Sequence, residues 1–211
     1  GSRTDVHVLD GANRYASFSL HAVSALHGTD SARWDFVVGD FDGDGRGDVY
    51  AINRRGGSGR TEVHVLDAAA NFSRFATHAA SALHPTDDDQ WDFVAGDYDG
   101  DGRDDVYAIQ RQGGSNRTEV HVLDAAANFT RFSLQTATAL HRTGASFDFA
   151  GGDLDGDGRT DLYAVSRGGG SGRTEVHVLR ARGGFAEFVT HASSALHRTS
   201  GDANFSFAAA P

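Results

Sequence analysis

Three short acidic loops carry the clearest chemistry in the sequence. Each follows the pattern Asp-x-Asp-Gly-Asp-Gly-Arg-x-Asp, and they begin at Asp40, Asp97 and Asp153. Carboxylates crowded into so short a loop repel one another, by about 1 kcal/mol per pair at 4 Å in bulk water and about 4 kcal/mol at an effective dielectric constant of 20. We therefore expect these loops to open unless a cation lies among them.

A hard divalent cation with oxygen ligands would relieve this repulsion, and the loops predict three calcium sites per chain. The aspartates and the backbone carbonyl at the seventh position supply most of a calcium shell, whereas magnesium needs a tighter octahedron and keeps its waters. The predicted ligands are Asp40, Asp42, Asp44, Arg46 and Asp48; Asp97, Asp99, Asp101, Arg103 and Asp105; and Asp153, Asp155, Asp157, Arg159 and Asp161. Solvated turns, in which Asp side chains bond to nearby backbone, are the alternative and explain three matching loops poorly.

The first half of each loop is similar to an EF-hand loop, but the second half is not. The twelfth position holds Ala51, Ala108 and Ala164, where an EF-hand has a bidentate Glu. The flanking residues favour strands, so the sequence predicts a strand-loop-strand calcium site.

Histidine is the other residue type that could do chemistry. There are 11, all at positions that recur along the chain. A catalytic histidine normally belongs to a single asymmetric group of residues. Recurring copies instead predict structural hydrogen bonds between sheets, so we expect no enzymatic activity.

The loops and histidines belong to a repeat that covers the chain. The segment Asp5–Asp10 recurs from Glu62, Glu119 and Glu175, at spacings of 57, 57 and 56 residues. Repeats of this length indicate one supersecondary unit that stacks on its neighbours. Close to four units are present.

Within a unit we predict four short strands, over residues 34–39, 49–52, 61–66 and about 72–83. Val, Ile, Phe, Tyr and Thr dominate these segments, as is typical of strands. Four antiparallel strands per repeat favour an all-β fold, a β-propeller of four-stranded blades with about 57 residues each. A two-layer sandwich is the alternative, but it gives no reason for the recurrence.

The two ends of the chain belong to complementary parts of one unit. We predict a single domain over residues 1–211, with a composite blade formed by the N-terminal strands (1–33) and a C-terminal strand (about 203–211). That blade would lack a metal loop. A ring closed within one chain and a larger ring shared by several chains both remain open, so a homo-oligomer is a predicted partner.

The segment from Phe36 to Tyr50 carries a specific resemblance. It is similar to the FG-GAP repeat, also called VCBS, of integrin-α-like propellers, and all three loops match the calcium motif of that family. The resemblance implies a calcium-binding propeller of secreted or cell-surface proteins, usually a binding or adhesion module, with some lectins among its relatives. Rings in that family commonly have six or seven blades.

Composition excludes several other classes. The formal charge is −10, with 19 Lys+Arg, all of them Arg, against 29 Asp+Glu, which argues against a nucleic-acid partner. No apolar run approaches the roughly 20 residues of a membrane span. The absence of Cys excludes a disulfide scaffold, and the chain rich in Arg and Ala suggests a bacterial source.

We expect the ligand to lie on the face opposite the calcium loops, where the connections between units differ most. Aromatic residues at the start of each first strand are the candidate ligand-binding residues: Trp34, Trp91, Phe147 and Phe205. Rings flanked by Asp, Arg and Asn are typical of sugar recognition, although packing between blades explains them as well.

The favoured function is therefore a secreted, lectin-like module that binds carbohydrate and calcium without catalysis. Two alternatives remain: a protein-binding adhesion or assembly module from a larger surface protein, and a calcium-dependent enzyme acting on polysaccharides.

Overall fold

A computed structural model describes residues 2–199 and 207, and this part of the chain is all-β. Fourteen strands form within it. They are β1 (Arg3–Leu9), β2 (Phe18–His27), β3 (Trp34–Gly39), β4 (Asp48–Asn53), β5 (Glu62–Leu66), β6 (Phe75–Ala80), β7 (Trp91–Gly96), β8 (Asp105–Gln110), β9 (Arg117–Leu123), β10 (Phe132–His141), β11 (Phe147–Gly152), β12 (Asp161–Ser166), β13 (Arg173–Leu179) and β14 (Phe188–His197). The all-β prediction is confirmed.

The strands form one two-stranded sheet and three four-stranded sheets. We call them the hairpin (β1–β2), the first sheet (β3–β6), the second sheet (β7–β10) and the third sheet (β11–β14). In each sheet every strand pairs antiparallel with its neighbour in sequence. The predicted unit of four antiparallel strands is thus confirmed, and the hairpin has the third and fourth strands of such a unit.

The last strand of the repeat is shorter in the first sheet than the sequence predicts. It spans Phe75–Ala80 instead of residues 72–83, and the residues before it form a turn. Asn71 and Phe72 have φ of 49° and 61°, which a strand does not allow. The N–H of Phe72 donates to the carbonyl of Asp67 at 2.8 Å and closes this turn.

Each hydrophobic core lies between two sheets, because a single sheet cannot cover both of its own faces. Tyr50 and Ile52 of the first sheet, together with Leu83 just beyond its last strand, pack against Trp91 and Phe93 of the second. An equivalent cluster joins the second sheet to the third, and a smaller one joins the hairpin to the first sheet. Neighbouring sheets therefore stabilise one another.

The first strands of the sheets lie side by side. β7 contacts both β3 and β11. The buried hydroxyl of Tyr50 donates to the carbonyl of Asp104 in the second sheet at 2.6 Å, and Tyr107 does the same to Thr160 in the third at 2.7 Å. The stacked order agrees with part of a propeller. A closed ring is not shown by the described residues, so closure stays a prediction.

The composite blade falls largely outside the described residues, since its C-terminal strand was predicted over about 203–211. Of that segment the structure describes Phe207, which lines a cavity on the third sheet together with Tyr163, Val165 and Leu196. Phe93 takes the equivalent place against Tyr50 and Ile52 of the first sheet and against Leu83, which follows its last strand. The domain boundaries stay a prediction.

Within the described part of the chain, no helix has the length and apolar character that crossing a bilayer would require.

Candidate functional site

The acidic loops join the first and second strands of the three four-stranded sheets. In the first sheet the loop connects Gly39 and Asp48, which are the last cross-strand partners of β3 and β4. The loop turns at Gly43 and Gly45, whose φ values are 77° and 82°. The carboxylate of Asp40 accepts N–H groups from Gly43 and Gly45, each at 2.8 Å. These bonds curl the loop around its first aspartate, and the other two loops repeat them.

Three carboxylates converge in each loop. One oxygen from each lies within 4.8 Å of the others in the groups Asp40, Asp42, Asp48; Asp97, Asp99, Asp101; and Asp153, Asp155, Asp161. The remaining predicted carboxylate ligands, Asp44, Asp105 and Asp157, lie in the same loops outside these groups. The structure thus brings together three of the four predicted carboxylates in each loop, and their role as calcium ligands stays a prediction.

The arginines at the seventh position lie in the turn itself. The backbone N–H groups of Arg46, Arg103 and Arg159 donate to the preceding fifth-position aspartate at 2.9, 2.9 and 3.0 Å. These bonds hold Asp44, Asp101 and Asp157 close to the backbone.

The ninth aspartate is buried and ties its loop to the rest of the sheet. Asp48, Asp105 and Asp161 are at most 3% exposed. Their Oδ1 atoms accept N–H groups from Ala68, Ala125 and Ala181 at 2.7, 2.7 and 2.9 Å. The acidic loop is therefore fixed to the turn that follows the third strand.

The electrostatics of the loops favour a cation. Burial raises the pKa of Asp105 to about 8, and it also raises the pKa of Asp48 and of Asp161. The Oδ2 atoms of Asp105 and Asp157 are buried without a hydrogen-bond partner. Within the second converging group, burial and then the charge of Asp101 raise the pKa of Asp99. A cation would relieve this repulsion, and a donor set made only of carboxylate oxygens fits calcium.

The third loop differs from the other two. The guanidinium of Arg180 lies 2.5 Å from Asp155 Oδ2. The first and second sheets have Asp67 and Asp124 at that position, and these pair with Arg74 and Arg131. A protein cation therefore already occupies part of the third acidic cluster, which the sequence analysis missed. The signal was the single Arg at the end of an otherwise repeated segment.

A cleft of about 460 Å³ lies at the opposite ends of the first strands. Its lining includes six aspartates and two arginines: Asp35, Asp87, Asp88, Asp89, Asp92, Asp148, Arg54 and Arg111. Arg54 and Arg111 pair with Asp35 and Asp92 at 2.5 and 2.6 Å. The third sheet repeats the pair with Arg167 and Asp148 at 2.6 Å. Sequence reasoning did not single out these pairs, although all six residues recur with the repeat.

Of the four aromatic residues predicted to bind a ligand, Trp91 and Phe147 line this cleft. Trp91 and Phe147 touch it but are only 3% and 7% exposed, and both belong to the cores between sheets. Trp34 is half-buried against the hairpin. Phe205 lies outside the described residues. The burial of Trp91 and Phe147 favours the packing role over stacking on a sugar.

His64, on the third strand of the first sheet, is not the structural hydrogen bonder that the sequence suggested, whereas its equivalent His121 bonds to Gln135 within its own sheet. His64 is 4% exposed, and neither of its ring nitrogens has a hydrogen-bond partner. Burial lowers the pKa of His64 to about 4, and the charge of nearby His78 contributes to this decrease. The carboxylate of Glu62 acts in the opposite direction but does not offset it. His64 is therefore neutral at pH 7, and its ring packs on His78 instead, with ring centroids 4.0 Å apart.

These features define a class of protein: an all-β repeat protein in which each four-stranded sheet carries an acidic loop between its first two strands. A family model described as an FG-GAP-like repeat matches residues 40–108 and again residues 97–164. Together the matches span more than half of the chain, and the chain belongs to the FG-GAP-like repeat family. No curated protein matches it.

Proposed function

We propose that the protein is a calcium-stabilised, extracellular binding module whose ligand is carbohydrate. The observation that carries the calcium part is the convergence of three carboxylates in each of three equivalent loops. Calcium bound there would neutralise the cluster and hold the loop against the buried ninth aspartate. Extracellular calcium modules have Kd values of about 10⁻⁴–10⁻³ M, so weak sites of this kind would be filled outside the cell.

The calcium proposal is tested by titration and by removal of individual ligands. Isothermal titration with calcium should give three equivalents per chain. Asp42→Ala, Asp99→Ala and Asp155→Ala should each remove one equivalent. Ser73→Ala, in an exposed turn outside the loops, is the matched control and should leave three. Absence of calcium uptake by the unaltered protein would refute the proposal.

The cleft opposite the calcium loops is the proposed carbohydrate site. Its paired arginines and aspartates supply fixed donors and acceptors, which sugar hydroxyl groups require. Six aspartates outnumber two arginines in the lining, so the cleft should reject sulfated and uronic-acid sugars and accept neutral or amino sugars. Because Trp91 and Phe147 are buried, recognition here depends on polar groups.

A glycan array in calcium tests this assignment. Hits confined to neutral or amino sugars support it, and Asp88→Ala should abolish them. Asp88 lines the cleft, and its side chain bonds locally to the backbone of Gln90. Asp30→Ala, an exposed aspartate of the loop before the first sheet, is the control. Hits on acidic glycans, or hits that survive Asp88→Ala, would exclude this cleft.

We propose no catalytic role. The histidines recur at paired positions in equivalent sheets, as in His64–His78 and His177–His191. Such repetition supports structural or binding roles over a single reacting centre.

An adhesion or assembly module is the second candidate, and exposed apolar side chains favour it. Phe18 and Val23 of the hairpin are 56% and 59% exposed, and Val38 of the first sheet is 65% exposed. A second copy of the chain is the proposed occupant, because β1 of the hairpin pairs only with β2 in the described residues, whereas its equivalents β5, β9 and β13 each pair with a strand on both sides. Light scattering in calcium should show a dimer or larger assembly, and a monomer would refute this candidate.

A further inference from the structure

The third and fourth strands of the first sheet bring two histidines and a glutamate together, outside the acidic loops. His64 and His78 are cross-strand partners, and Glu62 precedes His64 by two residues on the same strand face. Glu62 Oε2 lies 3.6 Å from His64 Nε2. One ligand atom from each of the three residues lies within 4.8 Å of the other two.

The buried member of this cluster is unsatisfied. Both ring nitrogens of His64 are buried and lack a hydrogen-bond partner. Orphaned polar atoms in a protein interior are uncommon, and coordination of a metal ion is one way to satisfy them. The other oxygen of the carboxylate, Glu62 Oε1, accepts the N–H of Ser58 at 2.9 Å, and this bond fixes the glutamate in place.

The third sheet repeats the arrangement. His177 and His191 are cross-strand partners with ring centroids 4.2 Å apart, and Glu175 Oε2 lies 3.8 Å from His177 Nε2. His177 is 4% exposed, and its Nδ1 has no partner. Ser171 fixes Glu175 as Ser58 fixes Glu62, at 2.8 Å.

The second sheet provides a natural contrast. Gln135 stands opposite His121 where the other two sheets have a second histidine, and its Nε2 donates to His121 Nδ1 at 3.0 Å. The glutamine thus satisfies one nitrogen of the histidine within the protein. The backbone and Glu119 are otherwise equivalent, since Glu119 Oε2 lies 3.8 Å from His121 Nε2.

The donor set selects one class of metal. Neutral imidazole nitrogens suit zinc, copper and nickel, whereas calcium and magnesium prefer oxygen ligands. Two histidines and one carboxylate leave a coordination position for water. A cavity of about 330 Å³ adjoins His64 and His78, and one of about 300 Å³ adjoins His177 and His191, which leaves room for that water.

We propose that the chain binds two transition-metal ions of the zinc class, one at Glu62, His64 and His78 and one at Glu175, His177 and His191. These sites are separate from the calcium loops and use different donor chemistry. Each ion joins the third and fourth strands of its sheet, β5 to β6 in the first sheet and β13 to β14 in the third.

Zinc titration of the calcium-saturated protein tests the proposal, because calcium keeps the acidic loops filled. Two zinc equivalents are expected. His78→Gln, which copies the residue found naturally in the second sheet, should remove one equivalent, and His78→Gln with His191→Gln should remove both. His84→Gln, at an exposed histidine whose Nδ1 bonds the carbonyl of Pro85, is the control and should leave two.

The reverse substitution, from glutamine to histidine in the second sheet, distinguishes specific binding by this donor set from adventitious binding at surface histidines. Gln135→His should add a third equivalent in the second sheet. Copper(II) bound in place of zinc should show two-nitrogen hyperfine coupling by electron paramagnetic resonance, and this signal should disappear in the double variant. No zinc uptake, or two equivalents retained by the double variant, would overturn the proposal.

Discussion

The proposed calcium sites should differ in affinity because of one residue, Arg180. Its guanidinium lies 2.5 Å from Asp155, a member of the third acidic cluster. Calcium that binds Asp155 must compete with this guanidinium for the charge of the carboxylate. The first and second loops face no such competition, since Asp67 and Asp124 occupy the equivalent position. We predict that Arg180→Gln strengthens calcium binding at the third loop.

The size of the effect follows from the geometry of the pair. At 2.5 Å the attraction between unit charges is about 1.7 kcal/mol in bulk water. The two side chains are 37% and 17% exposed, and exposed ion pairs contribute about 0–1 kcal/mol net. We take about 1.4 kcal/mol, which lies between the net value for an exposed pair and the full attraction in bulk water. This free energy corresponds to a tenfold lower Kd for calcium at the third loop.

The assay isolates one loop at a time. Calcium titration of Arg180→Gln is compared with its parent in a background carrying Asp42→Asn and Asp99→Asn, so that only the third loop binds. The matched control is Arg74→Gln in a background where only the first loop is intact, because Arg74 pairs with Asp67 outside the acidic cluster. The reasoning is refuted if the Kd of the third loop does not fall, or if Arg74→Gln lowers the Kd of the first loop equally.

Three further predictions concern stability. Chelation with EDTA should lower the Tm in a calorimetric scan, because calcium at 100 times its Kd stabilises by about 2.7 kcal/mol per site, or roughly 5–10 °C. Without metal, the pKa of Asp105 is about 8 in the folded state and about 3.8 in the unfolded state. The folded state therefore binds more protons between these values, and the free energy of unfolding falls as pH rises toward 8. Denaturant titrations in EDTA at pH 6.5 and 8 should show this fall, and Asp105→Asn should reduce it. Tyr50→Phe should cost about 1 kcal/mol in urea unfolding through loss of its 2.6 Å bond to Asp104.

Each of these predictions has its own contradicting result. A Tm that EDTA leaves unchanged would mean that the loops fold without metal. Metal-free stability that does not fall between pH 6.5 and 8 would mean that Asp105 is already ionised at pH 6.5 in the folded state. For Tyr50, the matched control is Tyr163→Phe at the equivalent, half-buried position of the third sheet; an equal cost for both variants would assign the loss to packing instead of the hydrogen bond.

The acidic loops and the strands beside them were predictable because their information is local. Nine contiguous residues from Asp40 to Asp48 specify the glycine turns and the Asx-type bonds of the first loop. The recurrence then predicts the same loop twice more. The end of the first sheet was predicted less well, since the turn around Asn71 and Phe72 depends on positive φ values that the pattern of Val and Phe does not reveal.

Contacts between distant residues were not predictable from the pattern alone. Whether Trp91 faces a ligand or a core depends on the sheet that stacks on it, and that sheet buries it. The pairing of His64 with His78 depends on the cross-strand register, and a slip of one residue would place them on opposite faces. Arg180 reaches Asp155 across 25 positions of sequence.

The sequence by itself determined the repeat, the all-β class and the three acidic loops, because each of these is encoded in short contiguous segments that recur. The tertiary structure decided which carboxylates converge, which aromatic rings are buried and which histidines meet. Those outcomes depend on strand register and on sheet stacking, and both are set by the free energy of burying whole faces, which no single segment of sequence carries.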